Sequence, residues 1–328
     1  MENVVEADGL KKWFPVRRGL ADIILRRPPK FIRAVDGVSF AIKRGEIFCL
    51  AGESGCGKTT TGRLILRLEE PTAGRILFKG VDITSLDGEE LIEFRRKAQI
   101  IFQDPYESLN PHMRVIDIIS EPLSIHKLAH NREEVIERVV KTLEDVALKP
   151  PEEFMYRYPH ELSGGQRQRV AIARAMILQP EFIVADEPVS MLDMSIRAEI
   201  LDLMLGIRDR YGIAYLFITH DLAVAKHICD RIAIMYLGKV VELGEATEVI
   251  DNPLHPYTKA LTAAIPVPDP RVKIGEIPIK GEVPSPISPP SGCRFHPRCP
   301  YAMDICSKKE PDLKEVEKGR KVACHLYG

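Results

Sequence analysis

The 328-residue sequence contains no apolar run near the roughly eighteen residues needed to cross a bilayer. Any membrane role must therefore come through partners. There is also no excess of charge: 46 Lys and Arg stand against 47 Asp and Glu, a net −1. That balance gives no reason to expect a nucleic-acid partner or an anionic membrane surface. Tryptophan is almost missing, Trp13 being the one copy. No two cysteines sit at the short spacing of a structural zinc pair. The acidic start, Met1 to Asp8, is unlike a signal peptide. Together these absences lead us to expect a cytoplasmic protein of one large or two moderate domains.

What is present centres on residues 52–60, where Gly52, Glu53, Ser54, Gly55, Cys56, Gly57, Lys58, Thr59 and Thr60 fit the phosphate-loop spacing. The apolar run 47–51 before it has strand character, and Thr61 to Leu68 after it reads as a helix. A strand entering a glycine turn and then a helix aims several backbone N–H groups at one point, which suits polyphosphate. Lys58 would reach the β- and γ-phosphates, and the Thr59 hydroxyl would ligate Mg²⁺.

Residues 4–16 and 34–42 read as strands, with residues 17–30 between them as a solvated hairpin insertion. From Val115 to about Met176 the pattern is mostly helical, with Val135, Val139, Leu143 and Val146 at core spacing. Apolar runs at 182–185 and 214–218 suggest parallel strands joined by a crossover helix over 196–209. Residues 232–243 read as a hairpin about Leu237-Gly238. Eight prolines within 266–290 make a stiff linker.

Further stretches carry chemistry. Asp186 and Glu187 end an apolar strand, where the first can hold hydrated Mg²⁺ and the second can polarise an attacking water. Gln103 follows another apolar strand, where its amide could also ligate Mg²⁺. His220 ends the strand next after the two acids, within possible reach of a γ-phosphate. Ser163, Gly164, Gly165 and Gln166 open a helix and form a second anion-binding turn. One ATP scarcely needs two such turns from one chain, so two chains offering them to each other would close a dimer around nucleotide.

In this ordered set the chain resembles the ATP-binding-cassette ATPases over roughly residues 4–250. The resemblance covers the loop at 52–60, Gln103, the signature at 162–166, Asp186 and Glu187, the loop Ser190–Asp193 and His220. It implies an α/β P-loop NTPase with an N-terminal antiparallel β region, a helical subdomain at about 105–178 and a small cysteine-rich extension. It also implies an adenine-stacking role for Trp13, with Phe14 as the fallback. Met191 departs from the small residue usual at its position. Residues 31–40, 101–111 and 255–261 narrow the resemblance to the oligopeptide/dipeptide importer ATPases, and within them to the second, F-type subunit.

That resemblance implies an ATPase motor using ATP and Mg²⁺ with catalytic Glu187, His220 and Lys58. Its partners would be a second ATPase subunit, two transmembrane permease subunits and, indirectly, an extracellular solute-binding protein. It would sit at the cytoplasmic face of the membrane and bind no nucleic acid. Import of oligosaccharides or other solutes, or a soluble non-transport ATPase, are the alternatives. The expected domains are 1–250, a C-terminal helix and linker at 251–292, and a tail at 293–328.

Four of the seven cysteines, Cys293, Cys299, Cys306 and Cys324, fall in that tail. Loops of five and six residues between the first three let their thiolates converge, with Cys324 returning as a fourth ligand. The expectation is a [4Fe–4S] cluster, which the family resemblance also implies. A mixed Cys/His zinc site using His296 or His325 is the alternative.

Overall fold

The computed structural model describes residues 2–18, 28–265, 279 and 281–328. Much of the expected insertion (19–27) and of the proline-rich linker (266–278 and 280) lies outside the described residues. In chain order the strands are β1 (Asn3–Pro15), β2 (Phe31–Lys43), β3 (Ile47–Ala51), β4 (Ala73–Phe78), β5 (Val81–Asp82) and β6 (Ala98–Ile101). After these come β7 (Phe182–Asp186), β8 (Ala214–Thr219), β9 (Arg231–Tyr236), β10 (Lys239–Glu245), β11 (Lys314–Glu317) and β12 (Arg320–Val322). The chain divides into two compact units. One holds Met1–Val4, Ile42–Glu46 and Ser85–Phe217; the other holds Val5–Ala41, Ile47–Thr84 and Ile218–Gly328.

In the first unit β6 and β7 pair in parallel, with Ala98 opposite Phe182 and Ile101 opposite Ala185, and β8 lies beside β7. Every residue of β7 and β8 is buried. Strands covered on both faces need no polar alternation, which is why they read as continuous apolar runs. The helices Val115–Ile125, Arg132–Asp145, Pro151–Met155 and Gly164–Met176 form the expected helical region. Val139, Leu143 and Val146 are fully buried, whereas Val135 stays half-buried one turn earlier. The second of these helices starts where the Asn131 side chain accepts the Glu134 N–H at 2.8 Å.

The second unit carries an antiparallel sheet ordered β2-β1-β4-β5, with Val5 opposite Phe78. Five strands of a larger sheet also lie here, in the order β11-β12-β10-β9-β3. Within it β3 pairs in parallel with β9, Phe48 opposite Arg231, and the remaining pairs are antiparallel. The β9–β10 hairpin turns at Leu237-Gly238, as expected. The tail adds what the sequence reading did not foresee. β12 pairs with β10, Glu242 opposite Val322, and β11 pairs with β12. All four residues of β11 are exposed, so it lacks the period-2 pattern by which strands are recognised.

Candidate nucleotide site

Residues 52–57 fold as a turn between β3 and the helix Lys58–Ile65. Two of its glycines have no alternative. At Gly52, φ is 148° and an added Cβ would come 2.2 Å from the Met235 carbonyl oxygen. At Gly57, φ is 109° and a Cβ would come 2.1 Å from the Ala34 carbonyl oxygen. Both are collisions with backbone, which cannot rotate out of the way. Buried Lys58 donates from its ammonium to the carbonyls of Gly52 (2.8 Å) and Glu53 (3.1 Å). The chain thus curls around its own lysine. Burial raises the pKa of the Cys56 thiol, despite the lowering effect of Lys58, so this cysteine sits in the loop as a neutral group. Ser54 and Gly55 are exposed, and Thr59 and Thr60 half-exposed, where hydroxyls can meet Mg²⁺ or phosphate.

His220 belongs to the same unit as the loop, exposed at the end of β8. The next residue, Asp221, caps the following helix by accepting the N–H groups of Ala223 (2.9 Å) and Val224 (3.2 Å). Trp13 is half-buried; its indole N–H donates to Asp36 at 3.1 Å, and the Arg33 guanidinium lies 4.7 Å from its ring centroid. Phe14 has Lys12 over its ring at 4.9 Å.

Gln103, the signature and the two acids belong to the other unit. Asp186 is buried at the tip of β7. Glu187 follows at φ 47°, a left-handed conformation rarely adopted by a residue with a side chain. Its carboxylate accepts the Gln103 amide N–H at 3.2 Å, and its carbonyl accepts the Ser190 hydroxyl at 3.0 Å. Two motifs distant in sequence are therefore joined by one hydrogen bond. Met191, where a small residue was expected, is exposed.

Ser163 caps the helix Gly164–Met176 in a reciprocal box. Its hydroxyl accepts the Gln166 N–H (3.3 Å) while the Gln166 side chain accepts the Ser163 N–H (3.0 Å). Arg167, which the sequence reading passed over, is buried and donates to the carbonyls of Pro159 (2.6 Å) and Leu162 (2.7 Å). It fixes the turn that presents the motif.

A family model described as ABC transporter matches residues 35–190, a span that includes the phosphate loop and both acids. The oligopeptide transport ATP-binding protein AppF of Bacillus subtilis (strain 168) is 50% identical, over 99% of this chain and 98% of its own length. The chain belongs to the ABC transporter family. A second model, the C-terminal region of oligopeptide/dipeptide transporters, matches residues 241–306. The dipeptide transport ATP-binding protein DppF of Haemophilus influenzae is 46% identical over 98% of this chain and 96% of that protein. Among solved structures, a dimeric ATP-binding cassette in a post-hydrolysis state with ADP and Pi superimposes with a TM-score of 0.63 at 30% identity, covering 74% of this chain and 98% of that one. The cbiO1 part of a Clostridium perfringens ABC transporter complex gives 0.64 at 26% identity, with 77% and 92% covered.

In this ABC subunit the cysteine tail belongs to the same compact unit as the phosphate loop. Three buried arginines fasten it there. Arg294 donates to the Asp36 carboxylate and the Leu237 carbonyl, and Arg298 to Glu53. Arg320 donates to fully buried Glu242 at 2.8 Å. Burial would raise the Asp36 carboxyl, but Arg294, Lys239 and the Trp13 indole hold it below its ordinary value. Phe295, 1% exposed, packs against Tyr236, Tyr257 and His255.

The four tail cysteines lie near enough for their thiols to affect one another. Burial, then the neighbouring thiols of Cys306, Cys324 and Cys299, push the Cys293 thiol up to about 11. Burial also raises Cys299 and Cys324. Among the described residues no group of three or more His, Cys, Asp or Glu side chains is arranged to hold a metal ion. His296 Nδ1 lies 2.8 Å from the Cys293 carbonyl oxygen and His325 Nε2 lies 2.9 Å from that of Lys309. The contacts that organise the tail are ion pairs, an aromatic cluster and strand pairing. The thiol donors are of the type that suits a soft metal or cluster.

Proposed function

We propose that this chain is the ATP-hydrolysing motor subunit of an ABC importer for oligopeptides or dipeptides. It would work as a nucleotide-sandwich dimer, with a related ATPase subunit, on two transmembrane permeases. The observation that carries the reading is the full-length identity to peptide-transport ATP-binding proteins, together with a phosphate loop already curled around Lys58. No helix among the described residues is long and apolar enough to cross a membrane. The subunit would therefore sit peripherally on its permeases, at the cytoplasmic face.

In this reading Lys58 and the loop amides take the β- and γ-phosphates of ATP. Thr59, Gln103 and Asp186 serve Mg²⁺, and Trp13 meets the adenine. Glu187 polarises the attacking water and His220 reaches the γ-phosphate. Ser163 and the Gly164–Gln166 turn serve the nucleotide of the opposing subunit. Permease choice would set the solute, so peptides, oligosaccharides and other solutes share one motor. A solute-binding protein would deliver cargo from outside. For the tail, Cys293, Cys299, Cys306 and Cys324 are the ligand set we assign to a [4Fe–4S] cluster, with zinc as the alternative; no catalytic step passes through it. Iron and zinc content of anaerobically purified protein decides between the metals.

Glu187→Gln tests the motor. Phosphate release should fall by roughly 10²–10⁴-fold, with Mg-ATP binding retained and a closed dimer trapped in sedimentation. Turnover within a few-fold of the parent would remove Glu187 from its role. Lys58→Ala should abolish Mg-ATP binding itself.

A further inference from the structure

Glu53 is the second residue of the phosphate loop, and it is held from three sides. Its N–H donates to the Tyr257 hydroxyl at 2.9 Å. Its carbonyl accepts Lys58 at 3.1 Å. Its carboxylate receives both terminal nitrogens of Arg298, at 3.0 and 3.2 Å. Two of those three partners lie outside the loop motif, and Arg298 comes from the tail, 245 residues later.

Arg298 fastens the tail and also reaches the Tyr236 hydroxyl at 3.5 Å, but its ion pair is a weak source of stability. Its side chain is 9% exposed while that of Glu53 is 27% exposed, so a nearly desolvated cation meets a partly hydrated anion. Its Nε–H is buried and has no hydrogen-bond partner among the described residues. Pairs of this kind often contribute less to folding than an apolar replacement would. What the pair does accomplish is local and electrostatic. A carboxylate next to an anion-binding turn repels polyphosphate, and Arg298 neutralises it while fixing its direction. The preceding arginine of the tail makes a parallel contact: Arg294 holds the Asp36 carboxylate that also accepts the Trp13 indole N–H.

We propose that Arg298 is a positioning residue for the nucleotide: by clamping the Glu53 carboxylate it sets the charge and shape of the phosphate loop, so that the cysteine-bearing tail tunes affinity for Mg-ATP. The proposal rests on the ATP-binding reading above. It predicts that removing the arginine harms binding only while the carboxylate it neutralises is there.

The experiment is a double-mutant cycle in the full chain, read by titration with Mg-ATP. Arg298→Ala should raise Kd about tenfold, equivalent to about 1.4 kcal/mol, and the penalty should shrink as salt is added. In the Glu53→Gln background the same substitution should cost less than about threefold. Arg298→Lys, which keeps the charge without the fork, should fall between parent and Arg298→Ala. In turnover assays KM should rise while kcat stays within about twofold. Arg298→Met, which fills the volume without charge, takes the place of Arg298→Ala where that variant fails to fold. A penalty as large in the Glu53→Gln background as in the parent would show that Arg298 acts only through tail packing and would overturn the proposal, as would parent-like affinity in Arg298→Ala. Failure of the parent chain to bind Mg-ATP would overturn the nucleotide reading itself.

Discussion

The helix Lys58–Ile65 begins at Gly57, in a left-handed conformation, and no side chain turns back to cap it. The helix Gly164–Met176 begins at Ser163, which with Gln166 closes a capping box on its own N–H groups. Neither has an acidic residue in its first turn, so neither helix repels an anion from within its own first turn. The difference lies in how each start is held. At the phosphate loop, shape comes from glycines pressed against neighbouring backbone, which leaves anion recognition to the chain's own N–H directions. At the signature, shape comes from side-chain hydrogen bonds that an incoming phosphate would have to exchange. The first start is preorganised for a ligand, and the second is preorganised for itself.

Breaking the first start should have the larger effect. Gly57→Ala places a Cβ against the Ala34 carbonyl and forces a side chain into a left-handed φ. Strain of about 1–3 kcal/mol adds to overpacking of similar size. Mg-ATP binding should fall below detection in calorimetry and the denaturant midpoint should drop; binding within a few-fold of the parent would mean the loop can relax. At the signature, Gly165→Ala brings a Cβ 2.6 Å from Ile196 Cγ2, which belongs to a side chain. The gain in helix propensity offsets part of the crowding, leaving about 1–2 kcal/mol of destabilisation by urea unfolding. Ser163→Ala removes the exposed half of the capping box and should cost about 1 kcal/mol. The monomer's Mg-ATP affinity should be unchanged, while ATP-dependent dimerisation of the Glu187→Gln protein should weaken.

A third helix start sharpens the contrast through its response to pH. His255 caps the helix Pro256–Ala263 through Nδ1, which accepts the Tyr257 N–H at 3.0 Å. Burial lowers its pKa to about 3. The folded state thus excludes a proton that the unfolded chain binds below pH ~6.5, so its contribution is complete above that pH and is lost as pH falls toward 3. His255→Asn keeps a capping acceptor and removes the titration. Whatever its packing cost, it should flatten the acid limb of stability by up to about 1.4 kcal/mol per pH unit. An unchanged limb between pH 4 and 6.5 would mean other groups carry it.

These contrasts also mark how far the sequence could be read. The phosphate loop was legible because its motif is local: the glycines, lysine and threonines that its spacing names lie within nine residues of chain. β7 and β8 were legible because burial on both faces leaves an unbroken apolar run. The Gln103–Glu187 contact was legible only as two separate motifs, since nothing in either names the other. The tail was legible only in part. Its cysteine spacing stands out in the sequence, but the ion pairs and strands that tie it to the loop's unit do not. Neither Lys314–Glu317, exposed throughout, nor three-residue β12 carries a periodic signal, and Arg298 has no local feature that points to Glu53.

The distance between those last two residues sets a timetable. At ~5–20 residues per second of synthesis, the 245 residues from Glu53 to Arg298 take on the order of 12–49 s. During that interval the nascent phosphate loop carries an unneutralised carboxylate, and β10 keeps an open edge until Arg320–Val322 emerge to pair with it. A premature stop after the last ATPase motif would make that state permanent. Such a gene product would keep every residue by which the ATPase is recognised and still lack the arginine that clamps its loop.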